Sequence, residues 1–251
     1  MNNFNPLVSI IISTLNSEEY LEKSLISSIN QTYSNKEIIL IDCLSKDDTY
    51  KIIQKYSKYI KYSISEKDTG IYNAWNKGLK KSCGDWICFI GSDDEWYSNE
   101  SLELLVKSSV LDNDINFVSG KIYIIDKNDN FISTMGKEWN VQNIKNNITI
   151  GHPGSLHNKN LFEKYGLFDE SYKICGDYEF LIRNRKNIKA NFVNDYIVKM
   201  RNSGVSNNKP FMAFNESAQA LFKNLNFGFY FAFKFYLLSI IKYTVRKIII
   251  K

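Results

Sequence analysis

Four times in about ninety residues, a short apolar run gives way to a segment with helical spacing, and this alternation restricts the chain to one architecture. The runs are "LVSIIIST" (7–14), "KEIILID" (36–42), "KYSISE" (61–66) and "DWICFIG" (85–91), β-branched or apolar and too short for buried helices. Between them lie "SEEYLEKSLISSINQTY" (17–33), with Ser17 placed to cap it, "DDTYKIIQKYSKY" (47–59) and "GIYNAWNKGLKKS" (70–82). Parallel strands need a crossover of a dozen or more residues, and these segments supply it. The expectation is an α/β domain with a mostly parallel, Rossmann-like sheet flanked by helices.

After residue 113 the order loosens. "INFVSGKIYIID" and "NFISTM" read as strands joined by an "NDN" turn, residues 159–166 and 177–186 as helices, and "KANFVNDYIVKMR" as two short strands. The last section, 211–251, reads as a helical, aromatic C-terminal extension. No stretch approaches about 18 uninterrupted apolar residues, so no spanning helix is expected. No leader peptide is expected either, because no positive region precedes "LVSIII".

The net charge of +5 is unevenly spread: residues 221–251 hold six basic residues and no acidic one. A chain-wide basic field aimed at nucleic acid is therefore not expected. The four cysteines (Cys43, Cys83, Cys88, Cys175) show no C-x-x-C spacing, which suits a reducing, cytoplasmic compartment.

In open parallel sheets, ligands bind beyond the carboxyl ends of the strands. Ser13, Thr14 and Asn16 follow the first run, Asp42 the second, Glu66 and Asp68 the third, and Asp93 and Asp94 the fourth. No glycine-rich phosphate loop accompanies them, and an acidic rim repels a nucleoside diphosphate unless a divalent cation sits between. Adjacent carboxylates are the oxygen ligands that Mg²⁺ or Mn²⁺ takes together with substrate phosphates, so Asp93 and Asp94 are candidate metal ligands. The pair alone fits a solvated, helix-capping turn equally well.

Beyond the pair, "VSIIISTLNSEEYLEKSLISSINQTYSNKEIILIDCLSKDDT", "SEKDTGIYNAWNKGLKKSCGDWICFIGSDD" and "GHPGSLHNKNLFEKYGLFDESYKICGDYEFLIRNR" together resemble the family 2 glycosyltransferases of GT-A fold. The resemblance is greatest to those that build bacterial surface polysaccharides such as colanic acid, O-antigen and capsule. It spans residues 7 to about 206. It implies a nucleotide-sugar half (1–113) and an acceptor half (114–210) of one GT-A domain (1–210), followed by the extension 211–251.

It further implies that Thr14 and Asn16 meet the nucleotide, Asp42 the base, and Asp68 the base and sugar. Asp93 and Asp94 would hold the metal and donor, Asp177 would be the catalytic base, and His152 would lie near the diphosphate or acceptor. "RNSGVS" (201–206) would close over the pyrophosphate, with Arg201 adding charge. Gly91, Asn73, Cys43 and Gly176 depart from the family's usual residues. Trp75, Trp86 and Trp96 read as packing residues rather than sugar platforms, Trp96 being the best placed of them for a sugar contact, and Glu179 is a second candidate base.

The implied reaction is inverting transfer from a nucleotide-diphosphate sugar, UDP being the favoured nucleotide, to a hydroxyl of a glycan or polyprenyl-linked glycan. The other reading is a non-catalytic, nucleotide-sugar-binding assembly subunit. On one continuous helix, Lys223, Lys234, Lys242 and Arg246 fall within roughly a 140° arc. That pattern suits an anionic membrane surface at the inner face of the cell membrane, or instead packing on the domain or a homodimer contact.

Overall fold

The structure is a computed structural model that describes residues 5–142, 150–202, 204–225 and 229–249. The expected alternation is present: β1 (Val8–Thr14), α1 (Leu21–Ile29), β2 (Lys36–Asp42), α2 (Thr49–Lys55), β3 (Tyr62–Ser65), α3 (Ile71–Lys81) and β4 (Trp86–Gly91). Then come β5 (Glu95–Trp96), α4 (Ser101–Ser109), β6 (Phe117–Ile125), β7 (Phe131–Met135), β8 (Leu156–Asn158), α5 (Lys159–Tyr165), α6 (Gly176–Arg183) and β9 (Ala190–Arg201). The chain continues through α7 (Val205–Asn208), α8 (Pro210–Leu225) and α9 (Phe229–Ile249).

One mixed sheet runs β3-β2-β1-β4-β8-β6-β9-β5, with β7 on β6. Its first half is parallel throughout, so β1, β2, β3 and β4 end on the same rim. Both faces of these strands are covered. Ile11, Ile39, Ile41 and Phe89 pack toward α3, α6 and α8, while Ile10, Ile12, Leu40 and Ile90 pack toward α1 and α4. Burial on both faces is why these strands read as continuous apolar runs rather than alternating ones.

Three expectations change. Ser17 does not cap α1: Tyr20 is the N-cap, and the Ser17 hydroxyl instead meets Ser92 Oγ at 2.8 Å. Residues 190–201 form one strand, whose register against β6 slips after Val193, and this slip explains the two-segment appearance of the sequence. The tail is two helices, α8 and α9, and Lys223 belongs to α8, where it pairs with Asp169 at 2.8 Å. Lys223 therefore leaves the arc proposed for one continuous helix, and the Arg246 side chain and Lys251 lie outside the described residues. α8 contributes Ala220 and Leu221 to the core. Among the described residues no helix is long and apolar enough to cross a membrane.

Candidate active site

The parallel register sets Thr14 beside Asp42 and Ser13 beside Gly91, gathering the strand-end polar groups by backbone pairing alone. Asn16 takes a left-handed backbone (φ 48°), a conformation its side chain tolerates, and its Oδ1 accepts from the Lys46 N–H at 2.9 Å. This ties the loop after β1 to the loop after β2. Asp42 is buried and accepts from Ser45 and Ser65 through both carboxylate oxygens. Asp68 accepts from the Gly70 N–H at 2.9 Å in the turn entering α3. Thr14 Oγ1 is buried with no hydrogen-bond partner among the described residues.

The Asp93–Asp94 turn closes the end of β4. A Cβ at Gly91 would lie 2.7 Å from Asp94 Oδ2, so glycine is what lets the Asp94 carboxylate fold back onto the Gly91 N–H at 3.2 Å. Ser24 of α1 ties down the start of this turn, its Oγ donating to the Gly91 carbonyl at 3.0 Å. Burial, and then the neighbouring charge of Asp93, push the Asp94 carboxyl up to about 8, opposed by the N–H groups of Gly91 and Arg201. Two adjacent carboxylates in this state fit a divalent cation, whose arrival would relieve their repulsion. Among the described residues no three His, Cys, Asp or Glu side chains gather at one point. A cation held by this pair would take its remaining ligands from substrate phosphate and water.

Asp177 lies in the first turn of α6, two residues past the Cys175 N-cap, and not at the capping position itself. Burial raises its carboxyl above the ordinary carboxylate range, while the Tyr178 N–H and the Tyr72 hydroxyl pull it back. The Tyr72 proton is shared between Asp177 Oδ1 at 3.0 Å and the Ile174 carbonyl at 2.7 Å. Gly176 makes this possible, because a Cβ there would sit 2.8 Å from the Tyr72 ring. Asn73, where the family usually has Asp, donates to Glu170 at 2.7 Å; an Asp would set two carboxylates against each other. His152 is buried, lies 5.1 Å from the Trp75 ring in a stacked arrangement, and is pushed down to about 3 by burial, so it is neutral.

The turn that presents Asp177 is held by a residue far along the chain. Buried Glu216 of α8 accepts the N–H groups of Lys173, Ile174 and Cys175 at 2.9, 2.8 and 2.9 Å. Glu216→Ala would leave these three donors without their acceptor. It is expected to destabilise the fold by at least ~2–4 kcal/mol, read by denaturant unfolding, with Glu216→Gln milder because one accepting oxygen survives.

Asn16, Asp93, Asp94, His152 and Asp177 all line one cavity of about 1550 Å³. Tyr72, Trp75, Lys234 and Lys242 line it too. Thr14, Asp42, Asp68 and Arg201 are not on its wall. Arg201 in particular is not an open cation: its buried guanidinium bridges Glu95 at 3.2 Å and Asp129 at 2.6 Å and lies over the Tyr20 ring. Of the segment expected to close over the pyrophosphate, Ser203 lies outside the described residues. Trp96 is no sugar platform, being buried with its indole N–H donated to Ser28 at 3.1 Å. Glu179 is buried and paired with Arg183 at 3.1 Å. Tyr72 and Glu216 went unnoticed in the sequence because their partners lie about a hundred and about forty residues away.

The model for "Glycosyl transferase family 2" matches residues 9–183. An uncharacterized glycosyltransferase of Rickettsia typhi is 30% identical over 208 residues, covering 80% of this chain and 65% of that protein. The UDP-Glc:alpha-D-GlcNAc-diphosphoundecaprenol beta-1,3-glucosyltransferase WfgD of Escherichia coli is 37% identical over 123 residues, 49% of this chain and 48% of that protein. The mannosyltransferase PcManGT of Pyrobaculum calidifontis, solved with GDP-Man and Mn²⁺, superposes with a TM-score of 0.69 at 16% identity, covering 90% of this chain and 66% of that chain. The chain thus spans less than two thirds of the length of both curated relatives.

Proposed function

This chain belongs to glycosyl transferase family 2 and has the GT-A fold, and on that premise we propose that it is an inverting, metal-dependent glycosyltransferase. It moves a sugar from a nucleoside-diphosphate donor, UDP being the favoured nucleotide, to a hydroxyl of a lipid-linked glycan in bacterial surface polysaccharide synthesis. The observation that carries this reading is the shared cavity, which exposes Asp177, half-buried and raised by its surroundings, together with the Asp93–Asp94 pair.

In the proposed reaction the acceptor oxygen bonds to the anomeric carbon, the bond from that carbon to the donor diphosphate breaks, and the hydroxyl proton passes to Asp177. A raised carboxyl is the stronger base, and the Tyr72 hydroxyl keeps it aimed. One base opposite the leaving group gives a single displacement, hence inversion. Asp93 and Asp94 would hold the divalent cation, which when bound offsets charge building on the leaving diphosphate. Neutral His152, stacked on Trp75, forms an uncharged part of the cavity wall, with both ring nitrogens buried. Residues 1–113 serve the donor and 114–210 the acceptor.

Work at the inner face of the membrane is supported by exposed apolar residues on α9, among them Leu237 (42% exposed), Ile241 (55%) and Val245 (46%).

Titration calorimetry with UDP, GDP and dTDP, each with and without Mn²⁺, tests the donor site; one nucleotide is expected to bind tightly and only with the ion. Turnover of the matching nucleotide sugar, with the product's anomeric configuration read by NMR, tests the chemistry. Retained configuration would overturn the single displacement, and binding without turnover would assign the chain to the non-catalytic reading. Tyr72→Phe removes a hydrogen bond that favours the ionised form of Asp177. The Asp177 carboxyl then rises further, and the acid limb of the pH–kcat profile is expected to move to higher pH.

A further inference from the structure

We infer that Lys234 and Lys242 of α9 form a phosphate subsite for an amphiphilic acceptor, one that carries phosphate between its sugar and its hydrocarbon. This rests on the glycosyltransferase reading above. The cavity wall carries two kinds of charge. Glu18, Glu19, Asp47, Asp93 and Asp94 come from the strand-end loops, Asp177 from the first turn of α6, and Lys173, Lys234 and Lys242 from the turn before α6 and from α9. Lys173 is committed, its Nζ donating to the Thr69 and Glu170 carbonyls at 2.8 and 2.9 Å. Lys234 and Lys242 have neither a hydrogen-bond acceptor nor an acidic partner among the described residues, and no acidic residue occurs in 221–251 to supply one.

The helix places them to act together. They are two turns apart, about 12 Å along the axis, and with Phe235, Leu238 and Ser239 they occupy roughly a 140° face of α9 that lines the cavity. Flexible stems let both ammonium groups reach one anion between them.

The bordering face holds Leu237 and Ile241, both exposed. Sugar in the cavity, phosphate on the two lysines and hydrocarbon along the apolar strip matches such an acceptor to all three surfaces. The donor's diphosphate has its own place at the Asp93–Asp94 end, where the cation offsets the acidic rim.

The test uses the full chain with undecyl diphosphate and undecyl maltoside as probes, both below their micelle concentrations, and UDP with Mn²⁺ as the donor control. Wild type is expected to bind the diphosphate about tenfold or more tightly than the neutral lipid. Lys234→Ala/Lys242→Ala is expected to erase that preference, and Lys234→Arg/Lys242→Arg to restore it, with UDP affinity unchanged throughout. A preference that survives the double alanine variant overturns the inference. So does a parallel loss of UDP affinity, which would give the lysines to the donor. Absence of UDP binding in the wild type would instead strike the functional reading itself, a separate outcome in the same experiment.

Discussion

Asp177→Asn is expected to lower kcat by about 10²–10⁴-fold, the range a positioned general base contributes, while nucleotide binding persists. Asn keeps the shape of the side chain and an oxygen that accepts from the Tyr72 hydroxyl, so the 3.0 Å contact and the α6 turn stay in place. It removes the ability to take a proton. The stability of the variant separates this loss from damage to the fold. Burial raises the folded-state pKa of Asp177, so ionised Asp177 works against folding at every pH above that value. A neutral Asn is therefore expected to unfold at equal or higher denaturant concentration at neutral pH. Single-turnover kinetics beside an unfolding curve reads both. An unchanged rate would reduce Asp177 to a first-turn acidic residue that merely suits the positive end of a helix.

Asp94→Ala is expected to remove ion-dependent nucleotide binding, weakening it more than ~100-fold in the presence of Mn²⁺. The estimate exceeds the ~10–100-fold typical of losing a group that only supports a ligand. Asp94 is buried and fixed by the N–H groups of Gly91 and Arg201, whereas Asp93 beside it is half-buried on the cavity wall. Removing Asp94 takes away the rigid half of the pair and leaves the ion a single carboxylate, so substrate phosphate and water must supply the rest of its shell without a fixed protein anchor. Calorimetry of Asp94→Ala and Asp93→Ala side by side measures the difference. Full ion dependence in Asp94→Ala would make this carboxylate a structural clamp on the turn.

Much of this was legible in the sequence because it is local. Strand and helix periods in 7–91 placed β1, β2, β3 and β4, and a parallel sheet sends strand-end polar residues to one rim, which is where Asn16, Asp93 and Asp94 stand. The departures at Gly91, Gly176 and Asn73 were visible but unexplained. Each is now accounted for by a neighbour: the Asp94 carboxylate, the Tyr72 ring and Glu170. The errors have the same origin. Arg201 looked like an available cation, yet Glu95 and Asp129, 106 and 72 positions earlier, consume its charge. Trp96, expected to pack though it stands beside two acids, does so, with Ser28 of α1 receiving its indole N–H.

By itself, then, the sequence determined the α/β order, the rim where polar groups gather and the acidic pair at the end of β4, because periodicity and strand termini are written in consecutive residues. Tertiary structure alone decided which of those groups keep an open face. Packing brought Tyr72 to Asp177, closed Ser45 and Ser65 over Asp42, sent Glu216 under the turn before α6 and laid α9 with its two lysines along the cavity. Each of those depends on residues that only a folded chain brings within reach.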